Sequence, residues 1–355
     1  MDIPAVFSAG AVRSSMNDKP YVLIMCGGQS VRLWPLSEYK SKNFLDLFGF
    51  SPLEHTIRRF LKVTTKDRIF LVANQSERAS LRRIRSLPSK NIFYEPASRN
   101  TAAAVLFALR KMPRKVKGTL VISPVDHYIR PEGKFRSALT KALRAAHTGT
   151  ICTLGVRPDS PSVHMGYIQA GMQRGRNLYE VHRFVEKPSV AQAKRLLRGK
   201  KTFFNCGLFI APVRVLWEEF ERWYPFTSLF CNARAHADFR RVYRKIPAEP
   251  FDKVIMEKTR RRAVVHGQFS WKDFGSWHTV YELLKKDSQG NALNGNVCAV
   301  RAKNNCVYLT GEKKKLLLMG LEDVFVIDTP EHTFIAHRQE LDNLKATLRR
   351  LNLRG

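Results

Sequence analysis

The chain has 355 residues, with 61 Lys and Arg against 30 Asp and Glu, a formal net charge of +31. Hydrophobic residues make up 44% and charged residues 26%, the balance of a folded globular chain, so disorder is excluded as its overall state. No apolar run approaches the roughly 18 residues of a membrane-crossing helix, which excludes an integral helical membrane protein.

In chain order, residues 1–20 carry Asp2 and lack a basic start, so they read as a flexible N-terminal extension and not as a targeting peptide. Tyr21–Cys26 reads as a buried strand, followed by a capping box at Ser51-Pro52-Leu53-Glu54 that opens a helix to about Leu61. Further strands are predicted over 68–73, 91–94 and 119–123. Helices are predicted over 75–86, 101–111, 133–147, 189–198 and 213–222, each with apolar residues at three- and four-residue spacing. Alternation of short apolar runs with amphipathic stretches is the pattern of an α/β fold with a mainly parallel sheet. It is assigned to residues 21–287.

Beyond that point the texture changes. Short β-rich runs at 297–300, 306–309, 316–319, 324–327 and 334–336 could be coils of a small β-solenoid. Leu341, Leu344, Leu348 and Leu351 then predict a terminal helix over 338–351. Residues 288–355 are therefore expected to be a β-rich C-terminal region ending in a helix.

The positive surplus points to anionic partners: phosphates, nucleic acid or acidic lipid. Basic clusters are scattered along the chain, which favours a solvated surface over one polyanion groove. The row Phe239-Arg240-Arg241-Val242-Tyr243-Arg244-Lys245 could stack on single-stranded nucleic acid or be a helix with a basic face. Six cysteines at 26, 152, 206, 231, 298 and 306 show no two-residue zinc or redox spacing, so a reduced, cytoplasmic chain is expected.

The first strand runs into Cys26-Gly27-Gly28-Gln29-Ser30-Val31-Arg32, and the carboxyl end of such a strand is where open α/β sheets bind nucleotides. Gly27 and Gly28 would let backbone approach phosphate, with Arg32 and Lys42 as cationic partners. A tight turn with solvated basic residues fits the same residues. Asp126 follows a predicted strand and Asp273 lies between Trp271 and Trp277. Two carboxylates suit Mg²⁺, which takes few protein ligands, although Asp near turns is commonly a local hydrogen bonder. Lys187 precedes Pro188 and the cap Ser189, at a predicted strand end. His127 has no second His at ligand spacing, and Cys26 and Cys206 read as small buried hydrophobes.

Met25 to Phe44 resembles the signature of nucleotidyltransferases acting on sugar 1-phosphates. Arg32-Leu33-Trp34-Pro35-Leu36-Ser37 is similar in particular to the mannose-1-phosphate guanylyltransferases. Further resemblances follow in the family's order: Glu95 to Ala102, Pro124 to His127, Phe184 to Pro188, Asn205 to Phe209, Asp252 to Lys258 and Trp271 to Trp277. Seven motifs in order, spanning roughly Tyr21 to the C-terminus, make coincidence implausible.

The resemblance implies a Rossmann-like nucleotidyltransferase domain that joins GTP and mannose 1-phosphate to give GDP-mannose and pyrophosphate, with Mg²⁺ as cofactor. It implies catalytic roles for Arg32, Lys42, Asp126 and Asp273, the two aspartates holding the metal. Gly27, Gly28, Glu95, Arg99, Asn100 and Thr101 would bind the nucleotide. Gly166, Glu186, Lys187 and Asn205 would bind the sugar phosphate. A homodimer is expected, and the isomerase domain of longer family members is not.

The chain departs from the family pattern at Ser30, where a loop glycine is usual, at Ser41-Lys42-Asn43-Phe44, and at His164 and Met165 before Gly166. These departures leave room for another hexose 1-phosphate or a non-catalytic regulatory relative. A basic nucleic-acid-binding protein is a more remote alternative.

Overall fold

The fold is described from a computed structural model for residues 18–28, 31–113, 116–199, 201–228, 236–311 and 314–353. Most of the predicted N-terminal extension, and Ser30, lie outside the described residues. The chain forms two compact units. The first draws on residues up to 28, on 57–125 and on 129–271; the second on 29–56, 126–128 and 272 onward. Residues 29–56 and 126–128 thus cluster with the C-terminal strands, a grouping that a linear division near residue 287 does not express.

In the first unit, β1 (Tyr21–Cys26), β2 (Ile69–Asn74), β3 (Ile92–Glu95) and β4 (Thr119–Pro124) form the parallel part of a nine-stranded sheet. β1 pairs in parallel with both β2 and β4, and β2 with β3. These strands are almost continuously apolar because both faces are covered; Val22, Leu23 and Ile24 are fully buried. A short pairing of β5 (His127–Arg130) with β11 (Ser270–Asp273) stands outside the large sheet.

The sheet continues through β9 (Thr202–Pro212), β6 (Ile151–Val156), β10 (Arg262–His266), β8 (Leu178–Val185) and β7 (Tyr167–Gly175). β6 and β10 are parallel, whereas β9 runs antiparallel to β4 and β6. The result is a mixed α/β sheet. Helices Asn100–Lys111 and Val213–Trp223 close one core with Phe209, Phe220 and Phe251. Leu53 and Ile57 are buried on the helix Pro52–Leu61, opened as expected by Ser51, whose hydroxyl accepts from the Glu54 amide.

The helix predicted over 75–86 is a correction. It forms only as a 3-10 turn, Gln75–Glu77, and one α-helical turn, Arg78–Leu81. Leu81 is the sole buried residue of that turn, and Arg78 and Arg82 place like charges at i,i+4, so neither packing nor electrostatics extends it.

In the second unit, β12 (Ala292–Asn294), β14 (Cys306–Leu309) and β16 (Val324–Asp328) stack in parallel, with β17 (Thr333–His337) antiparallel at the end. β13 (Asn296–Val300) and β15 (Lys315–Met319) pair in parallel beside them. Successive coils thus place like segments on one another, as in a small solenoid. A buried ladder of asparagines stitches the turns: Asn305 donates to the Asn291 side chain and to the Leu321 carbonyl. The predicted terminal helix is split into a 3-10 stretch, Arg338–Asn343, and a helix, Leu344–Arg350. Leu341, Leu344 and Leu348 are buried, but Leu351 is exposed.

Candidate functional site

At the end of β1, Gly28 has φ 106°, in the region glycine tolerates best. A Cβ on Gly27 would lie 3.6 Å from Glu95 Oε1, so the turn passes close to the last residue of β3. Glu95 is 4% exposed and accepts a hydrogen bond from the Tyr243 hydroxyl at 2.5 Å. Burial pushes its carboxyl up to about 7, opposed by that bond. Burial and the facing Glu95 likewise push the Tyr243 phenol well up. Tyr243 was not among the expected site residues; only its place in an amphipathic helix hinted that it turns inward.

Arg99, Asn100 and Thr101 open the helix Asn100–Lys111, and all three tie it to the segment Arg244–Phe251. The Arg99 guanidinium donates to the Arg244 carbonyl, and the Asn100 amide to that of Ala248 at 3.5 Å. Thr101 Oγ1 accepts from the Phe251 amide at 2.8 Å. Asn100, at φ 63°, also accepts from the Thr101 amide at 2.8 Å, which is a local turn-former's role.

A second group forms around Gly166. Gly166 accepts from the Asn205 amide at 2.8 Å, and a Cβ on it would come within 2.6 Å of Glu186 Oε2 and 3.4 Å of Asn205 Cβ. Only glycine leaves this space open. Asn205 Oδ1 accepts from Thr153 Oγ1 at 3.0 Å and from the Gly207 amide at 3.1 Å, while Nδ2 donates to Asp252 Oδ1 at 2.7 Å. Its acceptor is thus used inside the protein, and its amide has a second N–H to offer.

Asp252 opens and Glu257 caps a π-helical turn, Asp252–Met256, whose Val254, Ile255 and Met256 are buried. Glu257 accepts from the Glu186 amide at 2.9 Å. Burial, then Glu186, pushes the Asp252 carboxyl up to about 7, and burial also raises that of Glu186. Lys187, at φ 47°, holds its exposed ammonium 3.3 Å from Glu186 Oε1. Asp252 and Glu257 lie in a family-like segment, yet spacing alone gave no reason to choose them.

A third group lies in the second unit. Lys42 Nζ and Asp126 Oδ2 are 2.5 Å apart, with only 13% and 7% of their side chains exposed. Ser41 caps the short turn Lys42–Phe44 and fixes where Lys42 starts. The Phe274 amide donates to the Asp126 carbonyl at 2.8 Å. A Cβ on Gly275 would sit 3.3 Å from both Arg32 Nη2 and Asp273 Oδ1, so Arg32 and Asp273 flank that glycine.

The charges in this group are coupled. Burial would lower the Lys42 pKa, but Asp126 and Asp273 outweigh it and hold the ammonium charged. Burial would raise Asp126, yet Lys42 draws it down. Burial and the neighbouring Asp126 push Asp273 up to about 7. His127, Cys26 and Cys206 are buried. Among the described residues, no set of three or more metal-ligating side chains converges.

Residues 21–290 match the family model described as nucleotidyl transferase. The chain belongs to the nucleotidyl transferase family. Xanthan biosynthesis protein XanB of Xanthomonas campestris pv. campestris is 33% identical over 349 residues, 94% of this chain and 73% of that protein. A mannose-1-phosphate guanylyltransferase of Escherichia coli is 30% identical over 359 residues, 94% of this chain and 76% of that protein.

The solved structure described as mannose-1-phosphate geranyltransferase from Thermus thermophilus matches with a TM-score of 0.85 and 30% identity. That match covers 94% of this chain and 100% of that one. UDP-glucose pyrophosphorylase complexed with UDP-glucose, at 12% identity and a TM-score of 0.54, shares the fold. The nucleotidyl transferase described here is thus a sugar-phosphate nucleotidyltransferase enzyme like mannose-1-phosphate guanylyltransferases. Among the described residues, no helix is long and apolar enough to cross a membrane.

Proposed function

We propose that this nucleotidyltransferase is a mannose-1-phosphate guanylyltransferase. A phosphate oxygen of mannose 1-phosphate attacks the α-phosphorus of GTP, the bond from that phosphorus to the β-bridging oxygen breaks, and pyrophosphate leaves. The reading is carried by the buried Lys42–Asp126 pair, 2.5 Å apart, beside Asp273 and Arg32. A permanently charged ammonium and guanidinium suit a triphosphate whose charge redistributes as the α-phosphorus is attacked. Positioning two mutually repelling anions is the main task, and no covalent intermediate is needed.

Asp126 and Asp273 fit Mg²⁺, a hard cation that binds through one or two protein carboxylates and keeps phosphate oxygens and water. The two carboxylates repel each other and Asp273 is pushed up to about 7, a strain that a divalent cation relieves. When bound, the ion supplies charge neutralisation on phosphate oxygens. In the first unit, Gly27 and Gly28 present backbone to phosphate, and the Glu95–Thr101 segment reads the guanine. Lys187 supplies a point charge for the sugar phosphate. Glu186 and Asp252 offer acceptors to sugar hydroxyls, Asn205 one donor, and Gly166 the space they need.

A homodimer is part of the proposal. Val300 and Met319 are register partners on β13 and β15, Cys298 and Leu317 likewise, and all four are exposed. Such an apolar strip suits a self-complementary contact.

The test is pyrophosphate release from purified protein with GTP, Mg²⁺ and mannose 1-phosphate, beside other hexose 1-phosphates, ATP, and Asp126→Ala. Turnover that needs GTP and mannose 1-phosphate and disappears in the variant is expected. Turnover only with a different pair would replace the substrates. Absence of turnover with every pair, from folded protein, would favour a non-catalytic relative.

A further inference from the structure

β3 is the edge strand of the nine-stranded sheet, and along it runs an open cleft of about 490 Å³ in the first unit. Arg78, Lys111, Arg240 and Arg244 line it together with Tyr94 and Phe239, and among the described residues no Asp or Glu does. Among the described residues, none of the four cations has a carboxylate partner within ion-pair distance. Four like charges around one concavity repel one another, and an anion held there relieves that repulsion.

The chemistry of the walls narrows the ligand. Guanidinium groups pair with phosphate oxygens through two parallel hydrogen bonds. Arg78 lies 5.5 Å over the half-buried ring of Tyr94, so planar surface adjoins the cations at the sheet edge. The volume falls in the range that encloses a small ligand. A strand of nucleic acid is disfavoured because Phe239 and Tyr243 are buried and present no row of stacking faces.

We propose that this cleft is a regulatory site for a nucleoside di- or triphosphate, additional to the substrate nucleotide site. It borders the Glu95–Thr101 segment at Pro96. The helix His236–Lys245 turns Arg240 and Arg244 to the cleft while its Tyr243 holds Glu95, and the Arg244 carbonyl holds Arg99. A ligand that draws Arg240 and Arg244 inward therefore moves the partners of Glu95 and Arg99. That coupling, to the KM for GTP, rests on the assignment of this segment to the base.

Calorimetric titration of the full chain with GDP tests the site, with Arg78→Glu/Arg240→Glu and, independently, Lys111→Glu as variants. Two GDP sites per chain are expected, one of them weakened at least tenfold in both variants, with kcat at saturating substrates unchanged. A single GDP site in the native chain would overturn the proposal, as would two sites insensitive to either variant. Loss of all GDP binding in the variants would make the cleft part of the substrate site and overturn it equally. Tighter binding of a single-stranded oligonucleotide than of GDP, abolished by the same variants, would also overturn it. If the chain proves inactive yet keeps the variant-sensitive GDP site, the regulatory site stands and the catalytic reading falls.

Discussion

Lys42 and Asp126 show how one buried pair ties stability to chemistry. Removing one partner leaves an uncompensated charge, which typically costs about 3–5 kcal/mol. Asp126→Ala is therefore expected to lower the urea unfolding free energy by about 3 kcal/mol, since Asp273 still faces Lys42, and to abolish pyrophosphate release. Gly166→Ala tests space: the new Cβ meets the carboxyl end of Glu186 at 2.6 Å and the Asn205 side chain at 3.4 Å. The urea midpoint should then hold while the KM for mannose 1-phosphate rises at least about tenfold, the equivalent of about 1.4 kcal/mol. Glu95 tests pH dependence. With its folded carboxyl pushed up to about 7, the native state holds a proton that the unfolded chain has released, so stability falls as pH rises from about 4.5 to about 7. Glu95→Gln should flatten that slope in urea titrations at pH 5 and pH 8. Asp126, Asp273, Glu95 and Lys187 were all visible as residue types in the sequence. Asp252, Glu257 and Tyr243 were not singled out, because a π-turn and a helix face, not spacing, aim them.

At the scale of elements, the stretch that carries Arg32 and Lys42 owes its shape to the C-terminal region. Leu33, Trp34, Leu36, Leu45 and Leu47 share one core with Trp277, Phe325, Leu344 and Leu348. The Trp277 indole donates to the Trp34 carbonyl at 2.8 Å. Leu348 is 2% exposed, and Leu348→Ala should cost about 3 kcal/mol by cavity formation. Turnover should fall more steeply with added urea in this variant than in the native chain, although no charged group has changed. The helices predicted over 101–111, 133–147, 189–198 and 213–222 formed, whereas the one over 75–86 stopped after a turn for want of buried partners. The hairpin β7–β8 did not stand out in the sequence, because its half-exposed faces mix polar and apolar residues, and β9, although buried along nearly its whole length, was not predicted as a strand either. Their pairing is decided by β10 and β6 beside them.

On the scale of the whole molecule, four of the cations behind the net charge of +31 gather at the β3 cleft. Light scattering at micromolar concentration should report a dimer, and Leu317→Glu/Met319→Glu a monomer with an intact fold by circular dichroism. Legible in the sequence were the α/β class, the run of short C-terminal strands and the ordered family motifs. Each rests on local information: apolar periodicity, turn residues, and residue types at short spacing. Tertiary structure decided which carboxylates become strained, that residues 29–56 and 126–128 join the C-terminal strands, and that four cations without carboxylate partners among the described residues face one cleft. Those outcomes depend on burial and on distances between residues far apart in the chain, quantities that exist only once the chain has packed.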